Sequence, residues 1–388
     1  MSFASLALVC AIALAGPLLA WPRRWHLPVL LGELAAGAVL GTSVIGVLDA
    51  DEPTFAFLAD IGFALVMFVA GTHVPIRDRR LGASAGVAAA RAAGVGVLAV
   101  PVAWAISSVF QTGHTALYAV LLASSSAALV LPTIDTLRLR TPSLLPLLAQ
   151  VAIADAACIV ALPLVIDPPR AGRAAIGAAA VVAASLVLYL VLAHLERSGV
   201  RRAVHQVSEE REFAVELRVN LVILFALCAL AVTTHVSILL AGFCFGLVVA
   251  AVGEPRRLAR QLFAVTEGFL GPLFFVWLGA SLDVTGLARH PSYILLGVAL
   301  GLGAVLVHAA VAATGQPPRL AVLAATQLGV PVAAVTIGEQ RQLLLPGESA
   351  AIVLGAILTI GAGVLAAAGA ATRTPGRATS PGPAPSKQ

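Results

Sequence analysis

The chain has 388 residues, of which 60% are hydrophobic and only 11% are charged, and its formal net charge is +5. An average soluble domain carries roughly 25% charged residues. This composition excludes an ordinary soluble enzyme or binding domain. Apolar stretches of about 20 residues recur along the chain, which is the length that a helix needs to cross a bilayer. We therefore predict an all-α polytopic membrane protein.

Thirteen candidate spans follow one another, over residues 3–20, 28–48, 54–72, 82–109, 114–133, 144–166, 172–195, 215–233, 235–252, 259–281, 291–314, 318–338 and 347–371. The first has no basic residue before it and two arginines after it, so we expect a retained span and not a cleaved signal peptide. The 82–109 stretch is long, and only the turn Thr233-Thr234-His235 divides the spans between 215 and 252. Twelve or fourteen spans therefore stay open.

Loop charge predicts how the chain is oriented. If the N-terminus is outside, Arg91 lies within a span and only four of the chain's 24 Lys and Arg residues fall on the external side, namely Arg170, Arg173, Arg289 and Arg341. All the others fall on the cytoplasmic side, as the positive-inside rule requires. We predict a cell-membrane protein with its N-terminus outside and its C-terminus in the cytoplasm. This topology accounts for the basic charge without a nucleic-acid partner.

Two spans carry helix-breaking residues. Span 114–133 contains three consecutive serines and then Pro132, and span 318–338 contains Gly329 and Pro331. Proline removes a backbone donor and disfavours helix in the preceding residue. An isolated proline is commonly a tolerated kink, but these are the fifth and twelfth spans, so they cross the membrane in opposite directions. Such pairs are typical of inverted-repeat secondary transporters, here with spans 4–5–6 repeated in spans 11–12–13.

The sixth span contains the stretch LAQVAIADAACIVALPL, with Asp155 near its centre. A carboxylate is costly in hydrocarbon, so this acid is expected to hold either a proton or a compensating cation. Competition between the two for one carboxylate, together with alternating access, is sufficient for antiport. The hydroxyls of Ser125 and Ser126 and unwound carbonyls would supply further oxygen ligands for Na⁺ or K⁺. A site with one acid carries the same charge with either ligand, which predicts electroneutral exchange.

Several stretches, in chain order, resemble the monovalent cation:proton antiporter-2 family. HLPVLLGELAAGAVLGTSVIG and LADIGFALVMFVAGTHVPI resemble its second and third helices, SSSAALVLP its Ser-Ser-Thr-Ala stretch, HVSILLAGFCFGLVVA its small-residue helix and GPLFFVWLGASLDV its Phe-Phe-x-x-x-Gly-x-x-Leu-Asp helix. The resemblance runs through residues 1 to about 371. It implies a homodimeric sodium/proton or potassium/proton antiporter without a cofactor. Core helices would cover about 82–166 and 291–371, and dimerisation helices about 1–72 and 172–281.

The resemblance also implies roles for individual residues. Asp155 matches the family's ion-binding aspartate, which would hold the monovalent cation, and Ser124, Ser125 and Ser126 match its hydroxyl stretch. Two positions depart from the family. Ala154 stands where relatives usually carry Asp, Asn or Gln, which removes a ligand from the site. His308 stands in the eleventh span, where many relatives carry a lysine, and the chain's sole lysine lies in the tail.

Three further polar residues within spans have two interpretations each. His308 is either a pH-responsive group, because an ordinary histidine has a pKa of about 6.5, or a neutral histidine hydrogen-bonded between packed helices. Gln327, beside the second helix-breaking stretch, is a polar ligand or a helix brace. Arg91, about nine residues into its span, is interpreted as an arginine that snorkels to the interface, with an internal partner as the alternative.

Acids and cysteines elsewhere in the spans are weaker candidates. We expect Glu33 and Asp60 to face the dimerisation helices or a solvated cavity, and Asp283 to cap a helix at the external boundary. The four cysteines lie in apolar stretches without metal-ligand spacing, and we expect them to be buried as small hydrophobic residues. They are Cys10, Cys158, Cys228 and Cys244.

Two segments and two rival functions complete the predictions. Residues 1–372 would form the transmembrane domain, the 196–214 loop a solvated linker helix, and residues 373–388, rich in Pro, Gly, Ser and Thr, a disordered tail. One rival function is a cation efflux channel or uniporter that has lost proton coupling. A remote alternative is an intramembrane serine hydrolase with Ser125 or Ser126 as nucleophile and His308 as base. We predict a transporter and not an enzyme.

Overall fold

A computed structural model describes residues 1–21, 29–74, 77, 79–136, 141–198, 215–234, 236–253 and 256–371. Within these ranges the chain is helical and contains no β-strand. Several predictions lie outside the described residues. They concern the arginines at 23, 24, 138 and 140, His235, most of the 196–214 loop and the 373–388 tail with its lysine.

The described chain forms eighteen helices. In order they are α1 (Phe3–Ala13), α2 (Ala15–Ala20), α3 (Val29–Leu40), α4 (Pro53–Thr72), α5 (Arg79–Phe110), α6 (Thr115–Ala123), α7 (Ala127–Thr136), α8 (Leu144–Val165), α9 (Ala171–Arg197), α10 (Val215–Thr233), α11 (Ile238–Val252), α12 (Arg256–Val265), α13 (Gly271–Ser281), α14 (Val284–Arg289), α15 (Pro291–Ala310), α16 (Pro318–Ala324), α17 (Gly329–Gln340) and α18 (Glu348–Ala371). A π-helical turn, Thr266–Leu270, joins α12 to α13, and 3-10 turns cover Pro168–Arg170 and Val311–Thr314.

Each of the thirteen predicted stretches contains one of these helices or a consecutive pair. Ten helical stretches among the described residues are long and apolar enough to cross a membrane. Helices α3 and α11 are apolar but shorter. Helix is the expected form for such sequences, because a backbone in hydrocarbon must satisfy its hydrogen bonds within the segment. The all-helical, multi-pass class is confirmed, while the exact number of spans stays a prediction.

The connections between helices gather at two opposite faces. On one face, Ser43 donates to Leu282 O at 2.9 Å and the His114 ring lies 2.8 Å from a Glu348 oxygen. We name this the outer face; it carries residues 43–52, 111–114, 167–170, 282–290 and 341–347. On the inner face, Arg77 Nε donates to Ala251 O at 2.9 Å. The two sets of loops are those predicted to alternate across the membrane, and the assignment of the outer face to the external side stays a prediction.

The helices pack into two groups. Helices α1–α4 pack with α9–α13, and helices α5–α8 pack with α15–α18. Apart from the connection between α8 and α9, the groups meet at a few positions only, where α4 touches α7, α11 touches α8 and α13 touches α17. The groups coincide with the ranges predicted as dimerisation and core helices. Their roles in dimerisation and in movement remain predictions.

Small residues set the closest contacts within the first group. Gly242 and Gly246 lie four residues apart on α11 and face α4. A Cβ atom at Gly242 would overlap the carbonyl of Ala64, and one at Gly246 would overlap the carbonyl of Phe68. This small-xxx-small pattern brings two backbones together in the way that membrane helices commonly use.

Candidate ion-binding site

Two helix interruptions lie side by side near the middle of the second group. Helix α6 ends at Ala123 and α7 begins at Ala127, while α16 ends at Ala324 and α17 begins at Gly329. The Ser125 hydroxyl donates to the carbonyl of Ala324 at 2.7 Å and so links the two interruptions. Helix α6 begins at the outer face and α17 ends there, so the broken spans run in opposite directions. The predicted pair of broken helices is confirmed.

The interruptions do not fall at the prolines that predicted them. Pro331 is the third residue of α17, where a missing backbone N–H costs little because the first four donors of a helix have no partner within it. Pro132 lies inside α7. The chain leaves the helix a few residues earlier, at Ser124–Ser126 and at Ala325–Leu328.

Asp155 faces the N-terminus of the half-helix α7. It belongs to α8, which packs against α7 and α17, and it is only 3% exposed. Its Oδ2 atom accepts a hydrogen bond from the backbone N–H of Ala127, the first residue of α7, at 3.2 Å. The N-terminus of a helix favours negative charge. Among the described residues Asp155 has no ion pair, so this helix end is what faces its carboxylate.

The three serines of the first interruption are buried but bond differently. Ser124 turns back on its own helix, where its hydroxyl donates to Leu121 O at 2.9 Å. Ser125 bridges to the second interruption, as described above. Ser126 directly precedes Ala127, whose N–H reaches Asp155. The predicted hydroxyl stretch therefore lies beside the predicted acid, with Ser124 committed to a local contact.

His308, on α15, is buried against the same interruption. Its Nδ1 atom lies 2.9 Å from Ala304 O, and its Nε2 atom lies 3.4 Å from the Ser125 hydroxyl oxygen. A carbonyl only accepts, so the proton of a neutral ring belongs on Nδ1, which leaves Nε2 as an acceptor. Ser125 has a single proton to give, and it is directed at Ala324 O. Two acceptors thus compete for that proton.

Gln327 lies in the second interruption, and its backbone N–H donates to the hydroxyl of Thr359 at 3.2 Å. Its side-chain Nε2 atom is buried and has no hydrogen-bond partner among the described residues. A small cavity lined by Gln327, Pro331, Leu121 and Ile352 lies beside it. The backbone contact fits the predicted helix brace, and the unpaired amide is compatible with the predicted ligand role.

Arg91 has a partner within the bundle, which was the alternative to snorkelling. Its side chain is 9% exposed. Its Nε atom donates to the Thr314 hydroxyl at 2.9 Å and its Nη2 atom to Thr314 O at 3.2 Å. The arginine thereby ties α5 to the turn after α15, far along the chain. Ala154 is also buried.

The weaker candidates divide. Glu33 is buried, with its side chain against Gly16, so the solvated interpretation is wrong for it. Asp60 is half-buried and its Oδ1 lies 3.4 Å from the Gln340 amide. Asp283 caps α14 by accepting from Gly286 N–H at 2.7 Å, which confirms the prediction. Cys10 is exposed because α1 lies at the edge of the helix bundle, contrary to the prediction for the cysteines.

Sequence reasoning missed one polar cluster, at the outer face. Glu348, the first residue of α18, is 0% exposed. Its Oε1 atom accepts from the Tyr118 hydroxyl at 2.6 Å and lies 2.8 Å from His114 Nδ1, and its Oε2 accepts from Leu345 N–H at 2.8 Å. The acid lies at the edge of the predicted span 347–371, where the sequence gives no sign of a partner. Only the fold brings residues 114 and 348 together.

A multi-pass helical bundle with two antiparallel broken spans beside a buried acid defines a secondary-transporter fold. The family described as "Sodium/hydrogen exchanger, transmembrane" matches residues 7–369 of this chain. The chain therefore belongs to the sodium/hydrogen exchanger family.

Known proteins show the same likeness. The chain is 24% identical to "Putative Na(+)/H(+) antiporter YjbQ" of Bacillus subtilis over 92% of its own length and spans 61% of that protein. It is 45% identical to "Na(+)/H(+) antiporter NhaS5" of Synechocystis sp. over 58 residues, which is 15% of this chain and 8% of that protein. Its fold is similar to that of the sodium proton antiporter MjNhaP1 from Methanocaldococcus jannaschii, with a TM-score of 0.63, 16% identity and coverage of 95% and 97% of the two chains.

Proposed function

We propose that this chain exchanges protons for Na⁺ or K⁺ at Asp155, by alternating access across the cell membrane. The observation that carries the proposal is the buried Asp155 carboxylate, held by the Ala127 N–H at the start of a half-helix. Burying an ionisable group at such a place costs free energy, so its presence there points to a function. Membership of the sodium/hydrogen exchanger family and the likeness to two Na⁺/H⁺ antiporters support exchange of sodium and protons.

One carboxylate serves both ligands in this mechanism. When a proton leaves Asp155, the Ala127 N–H and the helix end stabilise the ionised form. A dehydrated Na⁺ or K⁺ takes oxygen ligands, which Asp155, the hydroxyls of Ser125 and Ser126 and the carbonyls of the interruptions would supply. Proton and cation cannot occupy the acid together. The loaded site has the same net charge in both cases, and exchange is electroneutral, one for one.

Alternating access would use the boundary between the two helix groups. Few helix–helix contacts join the two groups, and we propose that the group that carries Asp155 shifts against the other along this boundary. We propose that the first group, over about 1–72 and 172–281, forms the homodimer contact. The N-terminus would lie outside the cell and the C-terminus in the cytoplasm.

The rival functions receive less support. A cation flux that leaves internal pH unchanged would indicate a uniporter. Ala154 and His308, which depart from the family pattern, would then account for the loss of proton coupling. For a hydrolase, Ser125 and His308 do approach each other, but at 3.4 Å and with the serine proton directed at Ala324 O. Both are buried, so a substrate carbonyl has no access to the serine.

The test is a pH-sensitive dye inside proteoliposomes that receive pulses of Na⁺, K⁺ and Li⁺. We expect wild type to alter internal pH with at least one of these ions and Asp155→Asn to abolish the signal, because an amide cannot exchange a proton. Asp283→Asn is the matched control, since that carboxylate accepts from the Gly286 N–H and the Thr285 hydroxyl at the start of α14, and it should keep the signal. Undiminished exchange by Asp155→Asn would overturn the proposal.

A further inference from the structure

A cavity of about 400 Å³ opens at the outer face, away from the Asp155 site. It lies where α8 ends, α9 begins and α17 has just ended. Its lining consists of Pro163, Asp167, Arg170, Arg173, Ala174 and Arg341. The cavity therefore brings together side chains from both helix groups.

The cavity is positively charged. Asp167 is 4% exposed, and its Oδ2 lies 2.8 Å from Arg170 Nη1 and 3.8 Å from Arg341 Nη1. The lining thus carries three guanidinium groups and one carboxylate, an excess of two positive charges. The buried acid holds two of the arginines in place at the cavity wall, while Arg173 is exposed.

The position of these arginines runs against the topology of the chain. Only Arg170, Arg173, Arg289 and Arg341 fall on the side opposite the basic loops, and positive charge on that side opposes the preferred membrane orientation. Three of the four line the same cavity. Scattered interface arginines would not gather in this way, so the gathering favours a common ligand.

The backbone adds to the positive potential. Helix α9 has 27 residues and begins at the cavity wall. Its N-cap, Arg170, makes no side-chain capping bond, and its first turn contains no acidic residue. The N-terminus of such a helix favours an anion, and the arginines surround that same end.

We propose that this cavity binds a phosphate group, that of an anionic phospholipid headgroup. A guanidinium group pairs with phosphate through two parallel hydrogen bonds, which a compact ammonium does not provide. The cavity lies at the outer ends of α8 and α9, two apolar helices that are long enough to cross a membrane, and Arg170 is 61% exposed at its mouth. The ends of membrane-spanning helices lie near the level of lipid headgroups. Inorganic phosphate offers the same chemistry without the lipid, and the experiment separates these two sources.

The experiment titrates the purified full chain in neutral detergent with phosphatidylglycerol, phosphatidylcholine or inorganic phosphate and follows the thermal unfolding midpoint. We expect phosphatidylglycerol to raise the midpoint of wild type and phosphatidylcholine to leave it unchanged. Arg173→Gln should raise the apparent dissociation constant for phosphatidylglycerol roughly tenfold, the value of one charge-assisted hydrogen bond. The dissociation constant of Arg173→Lys should lie between those of wild type and Arg173→Gln, because lysine keeps the positive charge but cannot form two parallel hydrogen bonds with a phosphate.

Arg289→Gln is the matched control, since it removes the same charge from the same face but outside the cavity. It should bind like wild type. Equal losses in both glutamine variants, or equal effects of the two lipids, would overturn the proposal. A response to inorganic phosphate without one to phosphatidylglycerol would overturn the lipid assignment. Unliganded midpoints verify that the variants fold. No transport is measured, so the result is independent of the proposed antiport.

Discussion

Ser125 carries one hydroxyl proton, and two acceptors lie near it. The hydroxyl donates to Ala324 O at 2.7 Å, and His308 Nε2 lies 3.4 Å from the hydroxyl oxygen. If His308 gained a second proton, Nε2 would donate to the Ser125 oxygen and both bonds could form together. The protonation of His308 is thus connected, through one hydroxyl, to the contact between the broken helices. This is the physical content of the pH-responsive interpretation of His308.

Removing this hydroxyl should destabilise the site. In Ser125→Ala the buried carbonyl of Ala324 loses the donor at 2.7 Å, which costs about 1–3 kcal/mol. We expect a lower thermal unfolding midpoint in detergent and a higher apparent KM for the cation. Ser124→Ala is the control, because the carbonyl of Leu121 would still accept a hydrogen bond from the backbone N–H of residue 124, at 3.1 Å. Equal effects of the two changes would contradict the assigned bridge.

A second residue-scale prediction concerns pH and stability. The hydrogen bond from His114 to Glu348, with the charge of that carboxylate, raises the pKa of His114 above its ordinary value of about 6.5. The fold therefore favours the protonated ring. Its contribution is complete below the ordinary pKa and is lost as pH rises through the raised pKa of the folded state.

The measurement is the unfolding midpoint of the detergent-solubilised chain at a series of pH values from roughly 6 to 9. Wild type should lose stability as pH rises through the raised pKa of His114, and His114→Gln should give a flatter curve. His290→Gln is the control, because that exposed histidine lies on the same face and stacks edge-on with Tyr293. A wild-type slope that survives in His114→Gln would show that other groups cause it.

At the scale of elements, helix ends and close helix contacts decide the architecture. The half-helix α7 matters because its first N–H faces Asp155, and α16 because its last carbonyl receives Ser125. These ends exist only because both spans are interrupted. The contact of α4 with α11 is of the opposite kind, since it consists of continuous helices that approach closely through glycine.

Gly246→Ala tests that contact. The added methyl would overlap Phe68 O and lie 2.8 Å from the Cα of Gly71, so the helices must separate, at a cost of about 1–3 kcal/mol. We expect a lower unfolding midpoint. Gly94→Ala, on α5, is the control because its methyl would meet nothing within 4 Å, and alanine is the better helix former. It should be neutral or slightly stabilising, and an equal loss in both variants would refute the packing argument.

At the scale of the whole molecule, the proposed mechanism uses one titratable acid, Asp155, for both ligands. Charge moved per cycle is the measurable consequence. A single elementary charge carried across 100 mV is worth about 2.3 kcal/mol. Exchange of one proton for one monovalent cation at Asp155 would move no net charge, so the membrane potential should not change the transport rate.

This prediction is checked in proteoliposomes by setting a potassium diffusion potential with valinomycin and recording Na⁺-driven pH changes. We expect the same initial rate with and without the potential. Liposomes without the protein, also free of protonophore, are the control for proton leak through the bilayer. A rate that the potential accelerates strongly would mean that more than one charge-bearing group takes part, and electroneutral exchange would be wrong.

Much of this protein could be predicted before its fold. The length of the apolar stretches determined the membrane class, because crossing hydrocarbon is a property of each segment alone. The parity of the two proline-containing spans determined that they run in opposite directions. Asp155 stood out because an acid within such a stretch is costly wherever the other helices lie. These conclusions depend on local composition and order.

Only the tertiary structure decided which distant groups meet. Arg91 bonds to Thr314, and Glu348 is a buried acceptor for Tyr118. The convergence of Arg170 and Arg341 on Asp167 was equally invisible in the sequence. Such contacts join residues far apart along the chain, and their distances depend on how whole helices pack. Packing is collective, so no single stretch of sequence contains it.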